Sequence, residues 1–403
     1  KFNKAFVKDA REWAQASDRL WVWDYVTSFS HYLTPFPNLR VRDDNIRFFI
    51  ENNVVGIFEQ DAFQSYNGEF SSLSGYLNAK LLWDKDYDET QAIREFLTGV
   101  YGDAAEPIWE YIQLLHDKVR DENIHAYIRS EPTSAAFLSP QIMEQAEELW
   151  NDAEKRVADQ REVLLRVQTA RLCHDYAWLE QNRRDTDLLY TIDHANFTVK
   201  PNPASGFKVQ KFFEAADRAK VTVVAEPGRT LEDYKKPFAG GLSPSGKTFT
   251  PVEAVAVKNP KSGLQYDLYF SHDSSWNHLP DFSVLTPDTT GIADLPSERV
   301  SERSEYFAVT FKGFFKAEKD GIYSFCMGSN DGSRIAIAGQ TLENDRLHMV
   351  LEVNLQLALK KGYHPITIEY FQAGGKKKLY LNSTGPDMKY GLVPVSALYH
   401  EAE

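Results

Sequence analysis

The chain has 403 residues, 42% of them hydrophobic and 26% charged, enough apolar material for real cores and two or three domains, which excludes disorder as its general state. Its 58 acidic against 45 basic side chains give a net charge of −13, a surface that repels phosphate backbones and excludes nucleic acid as a ready partner. No run of about 18 apolar residues occurs, so no transmembrane segment is expected; the opening segment is amphipathic and shows no targeting signal, and Cys173 and Cys326 are too few for a disulfide framework or an ordinary zinc site.

The first third alternates strand and helix. Phe2, Phe6, Ala10 and Trp13 fall at helical spacing, and Leu20-Trp21-Val22-Trp23 reads as a buried strand ending in Asp24-Tyr25. An aromatic loop from Phe29 to Asn38 follows. Asp43 or Asp44 is placed to cap a helix over Asn45 to Asn52, and Val54 to Phe58 reads as a second buried strand ending in Glu59-Gln60-Asp61. The strand starts near Leu20 and Val54 are about 34 residues apart, the length of one βα unit of a parallel sheet or barrel. Phe70, Leu73, Leu77 and Leu81 then mark a helix stripe.

From Asp88 to about Arg184 the pattern is wholly helical, with Gly102 as a stop after Ile93, Phe96, Leu97, Val100 and Tyr101, and Pro107 in the first turn of the next helix. Two long charged helices lie between Ser139 and Arg184, and a short one runs to Ala219. Residues 221–262 are rich in Pro, Gly, Ser and Thr and read as a connector or small β module. Beyond Gly263 short strands recur between turns: Tyr306 to Phe315, Ile322 to Met327 after Asp320-Gly321, Arg334 to Ala338, Val350 to Leu359, Tyr363 to Phe371 and Lys378 to Leu381. Such a series means a sandwich or barrel.

Residues 263–403 resemble the carbohydrate-associated module of the protective-antigen type. The resemblance is carried by Gly263-Leu264-Gln265-Tyr266, Leu279-Pro280-Asp281-Phe282, Phe307 to Gly313, Asp320 to Phe325, Ser329-Asn330-Asp331-Gly332-Ser333-Arg334 and Gly362 to Ile366. It implies a β-sandwich that in several members binds glycans, and a loop in which paired aspartates hold calcium. Here the pair is Asn330 and Asp331, one carboxylate short, so calcium at Asp331 is weakened; the plainer reading of Asp331-Gly332 is a turn whose side chain bonds its own backbone. Arg334 and His348 occupy the same loop region of the module.

Residues 1 to about 125 are similar to the C-terminal part of an uncharacterised domain family of bacterial polysaccharide-utilisation proteins with an α-glucuronidase-like barrel. The residues are Val22-Trp23-Asp24-Tyr25, Pro35 to Leu39, Asn45 to Phe49, Gly56 to Gln60, Leu81-Leu82-Trp83-Asp84 and Glu95-Phe96-Leu97. The resemblance implies further chain upstream, supplying the earlier barrel strands.

Glycoside cleavage needs two carboxylates, about 5 to 9.5 Å apart according to the stereochemical outcome. Asp24 and Glu59 end successive strands, the place of catalytic residues in a barrel, and are the candidate catalytic pair. Gln60, Asp61 and Tyr25 are candidates for binding sugar hydroxyls; Trp23, Tyr32, Phe36 and Tyr66 are candidates for stacking on sugar faces. Glu69 is a third carboxylate in range. The structural alternative is that these carboxylates cap helices or pair with Arg40, Arg42 or Arg47. No cofactor is expected, calcium apart.

The fold expected is therefore multidomain α+β: a partial (β/α) barrel end with first bundle helices over residues 1–125, a helical bundle over 126–220, the connector, and a C-terminal antiparallel β-sandwich over 263–403. The function expected is the C-terminal portion of a secreted, periplasmic or cell-surface carbohydrate-active protein. It is read as glycoside hydrolase-like with an accessory sandwich, on a polysaccharide or oligosaccharide partner, or alternatively as a non-catalytic glycan-binding protein.

Overall fold

The computed structural model describes residues 3–183, 186–226, 228–239, 247–271 and 276–402. The chain forms two compact units, Lys1–Arg183 with Pro203–Ala239, and Arg184–Asn202 with Gly240–Glu403.

In the first unit α1 (Asn3–Ala16), β1 (Leu20–Tyr25), α2 (Arg42–Glu51) and β2 (Val54–Gln60) are followed by α3 (Ser71–Trp83), α4 (Glu89–Tyr101), α5 (Ala105–Asp121), α6 (Pro140–Arg156) and α7 (Arg161–Asn182). The two strands are parallel, with Val22 opposite Ile57, Trp23 opposite Phe58 and Asp24 opposite Glu59. Both end within the residues expected, at Tyr25 and Gln60. The helix between them begins at Arg42 rather than Asn45, and Asp43 and Asp44 do not cap it. Its first N–H groups, on Arg42 and Asp43, instead donate to Glu89 Oε1 at 3.1 and 3.4 Å, so a carboxylate from α4 replaces the local cap. Asn53, with φ +62°, turns the chain from α2 into β2, and its amide closes the end of α1 by donating to the carbonyls of Ala14 and Ser17. These two strands are the whole parallel sheet among the described residues.

The helices pack around Leu73, Leu77, Leu81, Ile93, Leu97, Ile108, Ile112 and Trp150, the apolar stripes that helical spacing marks in the sequence. Gly102, at φ +51°, ends α4 as a left-handed stop.

The chain next contributes α8 (Thr186–Leu189), β3 (Tyr190–Asp193) and β4 (Thr198–Pro201) to the second unit, then returns to the first with α9 (Pro203–Arg218), β5 (Val223–Ala225), β6 (Arg229–Thr230) and α10 (Leu231–Ala239). The rest of the second unit is β7 (Lys247–Thr248), β8 (Pro260–Ser262), β9 (Leu264–Phe270), β10 (Thr289–Ala293), β11 (Phe307–Ala317), β12 (Gly321–Asn330), β13 (Ser333–Ile337), β14 (Gln340–Asn344), β15 (Leu351–Leu359), β16 (Gly362–Gln372), β17 (Lys378–Gly385), β18 (Met388–Leu392) and β19 (Leu398–Glu401). One antiparallel sheet runs β10-β9-β11-β16-β13-β14, with β19 joining β11 to β8; the other runs β15-β12-β17-β18. Their inward side chains, among them Phe307, Phe311, Phe315, Phe325, Leu357, Ile368 and Leu381, form one core. β11 pairs with β16 along its whole length, Phe307 opposite Gln372 through Ala317 opposite Gly362. The outer neighbours Ala308 and Phe371 are buried as well, covered by Trp276, Leu279 and Phe282. The mixed α+β character and the C-terminal antiparallel architecture are as the sequence implies. Both cysteines are buried and neither is in a disulfide.

Candidate functional site

Alternation along β1 and β2 sorts the candidate residues onto two faces. Trp21, Trp23 and Tyr25 share one face with Phe58 and Gln60; Val22 and Asp24 share the other with Ile57 and Glu59. The Trp23 indole N–H donates to Gln60 Oε1 at 2.6 Å, and its ring meets Phe58 edge-on at 4.9 Å. The residues expected to bind a sugar at the strand ends, Trp23, Tyr25 and Gln60, thus lie across the sheet from the carboxylates expected to act on it. Trp21, Trp23 and Phe58, read as buried, are 76%, 63% and 54% exposed. Tyr66 is exposed too, whereas Tyr32 and Phe36 are core: Tyr32 is fully buried, with its hydroxyl donating to Gln64 Oε1, so neither ring offers a face for stacking.

On the other face Asp24 and Glu59 are side by side. Burial raises both carboxyls, Glu59 to about 7 with the neighbouring Asp24 charge adding to the rise. Asp61 is raised by burial, and burial takes Glu69 to about 8. The charge near all four is Arg42, at the start of α2 and 3% exposed. Its guanidinium makes no close ion pair with them. It donates instead to Asn78 Oδ1 at 2.7 Å, Asn38 Oδ1 at 3.0 Å and Ser74 Oγ at 3.2 Å, while Glu59 Oε2 is buried without a partner among the described residues. The carboxyls are therefore desolvated without a close ion pair, and burial favours the protonated form of each. Such an arrangement can hold one carboxyl protonated beside a more acidic one, the condition for acid and base roles. Arg42 as the organising cation was readable only as one of three nearby arginines; Glu89 as the cap of α2 has no local signal.

In the second unit three loops converge at one end of the sandwich. The peptide between Asn330 and Asp331 is cis. Asp331 Oδ1 accepts the N–H of His348 at 3.2 Å, and Oδ2 accepts those of Ala373 at 2.9 Å and Gly374 at 3.4 Å. His278 Nδ1 lies 2.8 Å from the Asp345 carbonyl oxygen, and the Leu279 N–H donates to the Asp345 carboxylate. His348 faces carbonyls, Met349 O through Nδ1 and Asn344 O through Nε2. Gly332 is required here: a Cβ would lie 2.4 Å from the Phe371 ring. Exposed Leu347, Met349 and Val350 adjoin these polar groups. Arg334 points elsewhere, into a ladder with Glu343 at 2.9 Å and Glu369 at 2.8 Å on the strands either side. Calcium takes 6–8 oxygens, several of them charged. This loop offers the single Asp331 carboxylate, with both oxygens already accepting N–H groups and the Asn330 carbonyl bonded by Tyr370, a donor set that does not fit calcium.

Residues 1–113 match the family DUF4838, described as a domain of unknown function, and residues 261–396 match the PA14 domain. Among solved structures, the chain is similar to the PA14 domain of the MpAFP antifreeze protein, at 18% identity over 37% of this chain and 96% of that one, TM-score 0.31. It is similar to a PA14 sugar-binding domain from an RTX adhesin, at 19% identity over 36% and 99%, TM-score 0.31. It is also similar to the epithelial adhesin 9 A domain of Candida glabrata in complex with Galβ1-3GlcNAc, at 13% identity over 38% and 96%, TM-score 0.31. No curated protein sequence matches the chain.

Proposed function

We propose that the chain is a carbohydrate-binding protein whose glycan site is the three-loop end of the C-terminal sandwich. The observation that carries this is the convergence of residues 276–279, 330–332 and 344–350 within the stretch that matches the PA14 domain, where fixed polar groups border exposed apolar side chains. A sugar presents both hydroxyls and C–H faces, and needs both kinds of contact from its site. Asp331 acts as the clamp tying two of these loops together, and Leu347 and Met349 supply the apolar contact. A secreted, periplasmic or surface location accords with this reading; no helix among the described residues is long and apolar enough to cross a membrane.

The test is a glycan array probed with the full chain, beside a Leu347→Ser, Met349→Ser double variant of exposed positions. Binding to a defined glycan group, lost in the variant with its melting curve unchanged, is expected. A wild-type chain that binds no glycan, or a variant that binds as well, overturns the assignment.

A second reading, glycoside hydrolysis in the first unit, is favoured by one observation: Asp24 and Glu59 are Cα partners on adjacent parallel strands, both desolvated, with Glu59 at about 7. In it Glu59 is the acid and Asp24 the base or nucleophile. Glu59→Gln then abolishes any hydrolysis of a bound polysaccharide and leaves the fold intact; equal turnover by the variant would remove Glu59 from the reaction.

A further inference from the structure

The helices α6, α7 and α9 border a groove of about 730 Å³ that none of the candidate residues above lines. Its lining includes the apolar side chains of Leu138, Met143 and Trp178 and the charged ones of Glu144, Glu147, Glu148 and Lys208. A volume of this size is within the range that holds small organic ligands.

Glu147 is fixed in place from behind. Its carboxylate accepts from Arg171 and lies 2.8 Å from His174 Nε2, both buried residues, and Arg171 is itself shared with Asn151, Glu154 and Asp175. Burial alone would raise this carboxyl, but the His174 hydrogen bond and the charges of Arg171 and Lys208 outweigh it and hold it well below the usual carboxylate range. Glu147, His174 and Asp175 are close enough to surround a metal ion, yet Arg171 and Lys208 already supply the positive charge there, so the cluster is complete without one.

Lys208 reveals what the groove recognises. Its ammonium lies 4.5 Å from the centroid of the Trp178 ring and donates to Glu147 Oε2 at 2.5 Å, so a primary ammonium rests on an aromatic face and a fixed carboxylate at once. Glu144 and Glu148 line the same groove and make no hydrogen bond or ion pair among the described residues. Glu147 is already compensated by Arg171 and Lys208, so the exposed Glu144 and Glu148 are the two uncompensated charges that leave the groove in need of a cation.

From this charge balance and the indole face beside it, we infer that the groove binds an amine-bearing saccharide, one with a free ammonium and not an acetamide. The C–H face of its ring lies on Trp178 and its ammonium meets the carboxylates of Glu144, Glu147 and Glu148. Lys208 is the resident competitor, a flexible side chain that swings aside when the ligand's own ammonium arrives. The saccharide class rests on the carbohydrate reading proposed above; the requirement for a cation rests on the groove alone.

The experiment is calorimetric titration of the full chain with a glucosamine oligomer carrying free amines, with its N-acetylated counterpart and oligolysine as controls. Saturable binding of the free-amine oligomer is expected, weaker by about tenfold for the acetylated one and by about tenfold in the Glu144→Gln, Glu148→Gln double variant, since each change removes an exposed charge contact. Lys208→Ala, which removes the competitor and leaves Glu147 its two buried partners, is expected to bind more tightly. No saturable binding by the free-amine oligomer, or unchanged affinity in the double variant, overturns the inference. Oligolysine bound as tightly as the oligosaccharide overturns the saccharide assignment in favour of a basic peptide. Binding retained in the Leu347→Ser, Met349→Ser chain separates this groove from the sandwich site, so either can fail without the other.

Discussion

β1 and β11 carry the same message in sequence, aromatic and branched side chains at every second position, and meet opposite fates. Phe307, Val309 and Phe311 are wholly buried, while Trp21 and Trp23 stand mostly in solvent. The strands differ in what surrounds them. β11 has β9 and β16 on its two edges, the second sheet against one face, and Trp276, Leu279 and Phe282 over the other. β1 has β2 on one edge and, among the described residues, no sheet partner on the other. Alternation therefore encodes which way a side chain points, and the neighbours decide whether it is buried. The rings of the exposed face meet edge-on, Trp23 against Phe58 and Tyr25 against Phe29, as rings do in a core; a flat sugar-stacking platform would need them coplanar.

The sharpest way to break this comparison is to truncate one ring from each strand. Phe311→Ala removes a fully buried ring and should cost about 3–5 kcal/mol in denaturant melts of the second unit. Trp21→Ala should cost less than about 0.5 kcal/mol in the first, because its ring is already in water. A large loss for Trp21→Ala would mean that this face is covered in solution.

Two glycines sharpen the same point at lower cost. A Cβ at Gly313 would lie 2.2 Å from the carbonyl oxygen of Tyr399, a backbone atom locked in the sheet, so Gly313→Ala should destabilise by about 1–3 kcal/mol. A Cβ at Gly56 would also lie 2.2 Å from its neighbour, but that neighbour is the exposed Trp21 ring, which can swing away. Gly56→Ala should therefore cost under about 1 kcal/mol, at the low end for a crowded site that can relax. Equal costs by thermal melting would show that Trp21 is pinned.

The exposed sheet also covers the more unusual electrostatics. Burial raises Glu69 from its ordinary 4.5 to about 8. The folded protein then keeps a proton that the unfolded chain gives up, so stability is full below about pH 4.5 and falls as the pH climbs toward 8. The first unit should lose on the order of 1–2 kcal/mol between pH 6 and 8, and Glu69→Gln, neutral throughout, should flatten that slope. Glu59→Gln should act in the same direction more weakly, as Glu59 is less enclosed and reaches only about 7. A first unit equally stable at pH 6 and 8 would show that Glu69 is solvated.

The sidedness of the candidate residues was legible all along. Trp23 and Asp24 are adjacent, as are Glu59 and Gln60, and adjacent residues of a strand face opposite ways, so the pair of carboxylates and the pair of sugar binders could not share a face. The strands of the sandwich and the helix stop at Gly102 were equally legible, because local turns and periodicity determine them. Arg42 as a cation solvated by Ser74 and Asn78 as well as the nearby Asn38, and Glu89 as the cap of α2, were not: Ser74, Asn78 and Glu89 lie far along the chain and are brought in by the helices. The exposure of Trp21 belongs to the same class, since burial is a property of the assembled layers and not of the strand.

The smallest effects test whether cross-strand pairs behave alike in the two sheets. Arg334 in the sandwich bridges Glu343 and Glu369 on the strands beside it, and Trp23 in the first unit bonds Gln60 on its neighbour. All three contacts lie at or near the surface, where each such pair is worth about 0.2–1 kcal/mol. Arg334→Ala should therefore cost about 0.5–1 kcal/mol, less at high salt, since its ladder is ionic. Gln60→Ala should cost about as little and show no salt dependence, since its bond is between neutral groups. Glycan binding in the Arg334→Ala chain should equal that of the wild type, because the guanidinium is spent on the two glutamates and does not reach the Asp331 loop; a loss of binding with stability unchanged would place Arg334 in the glycan site after all.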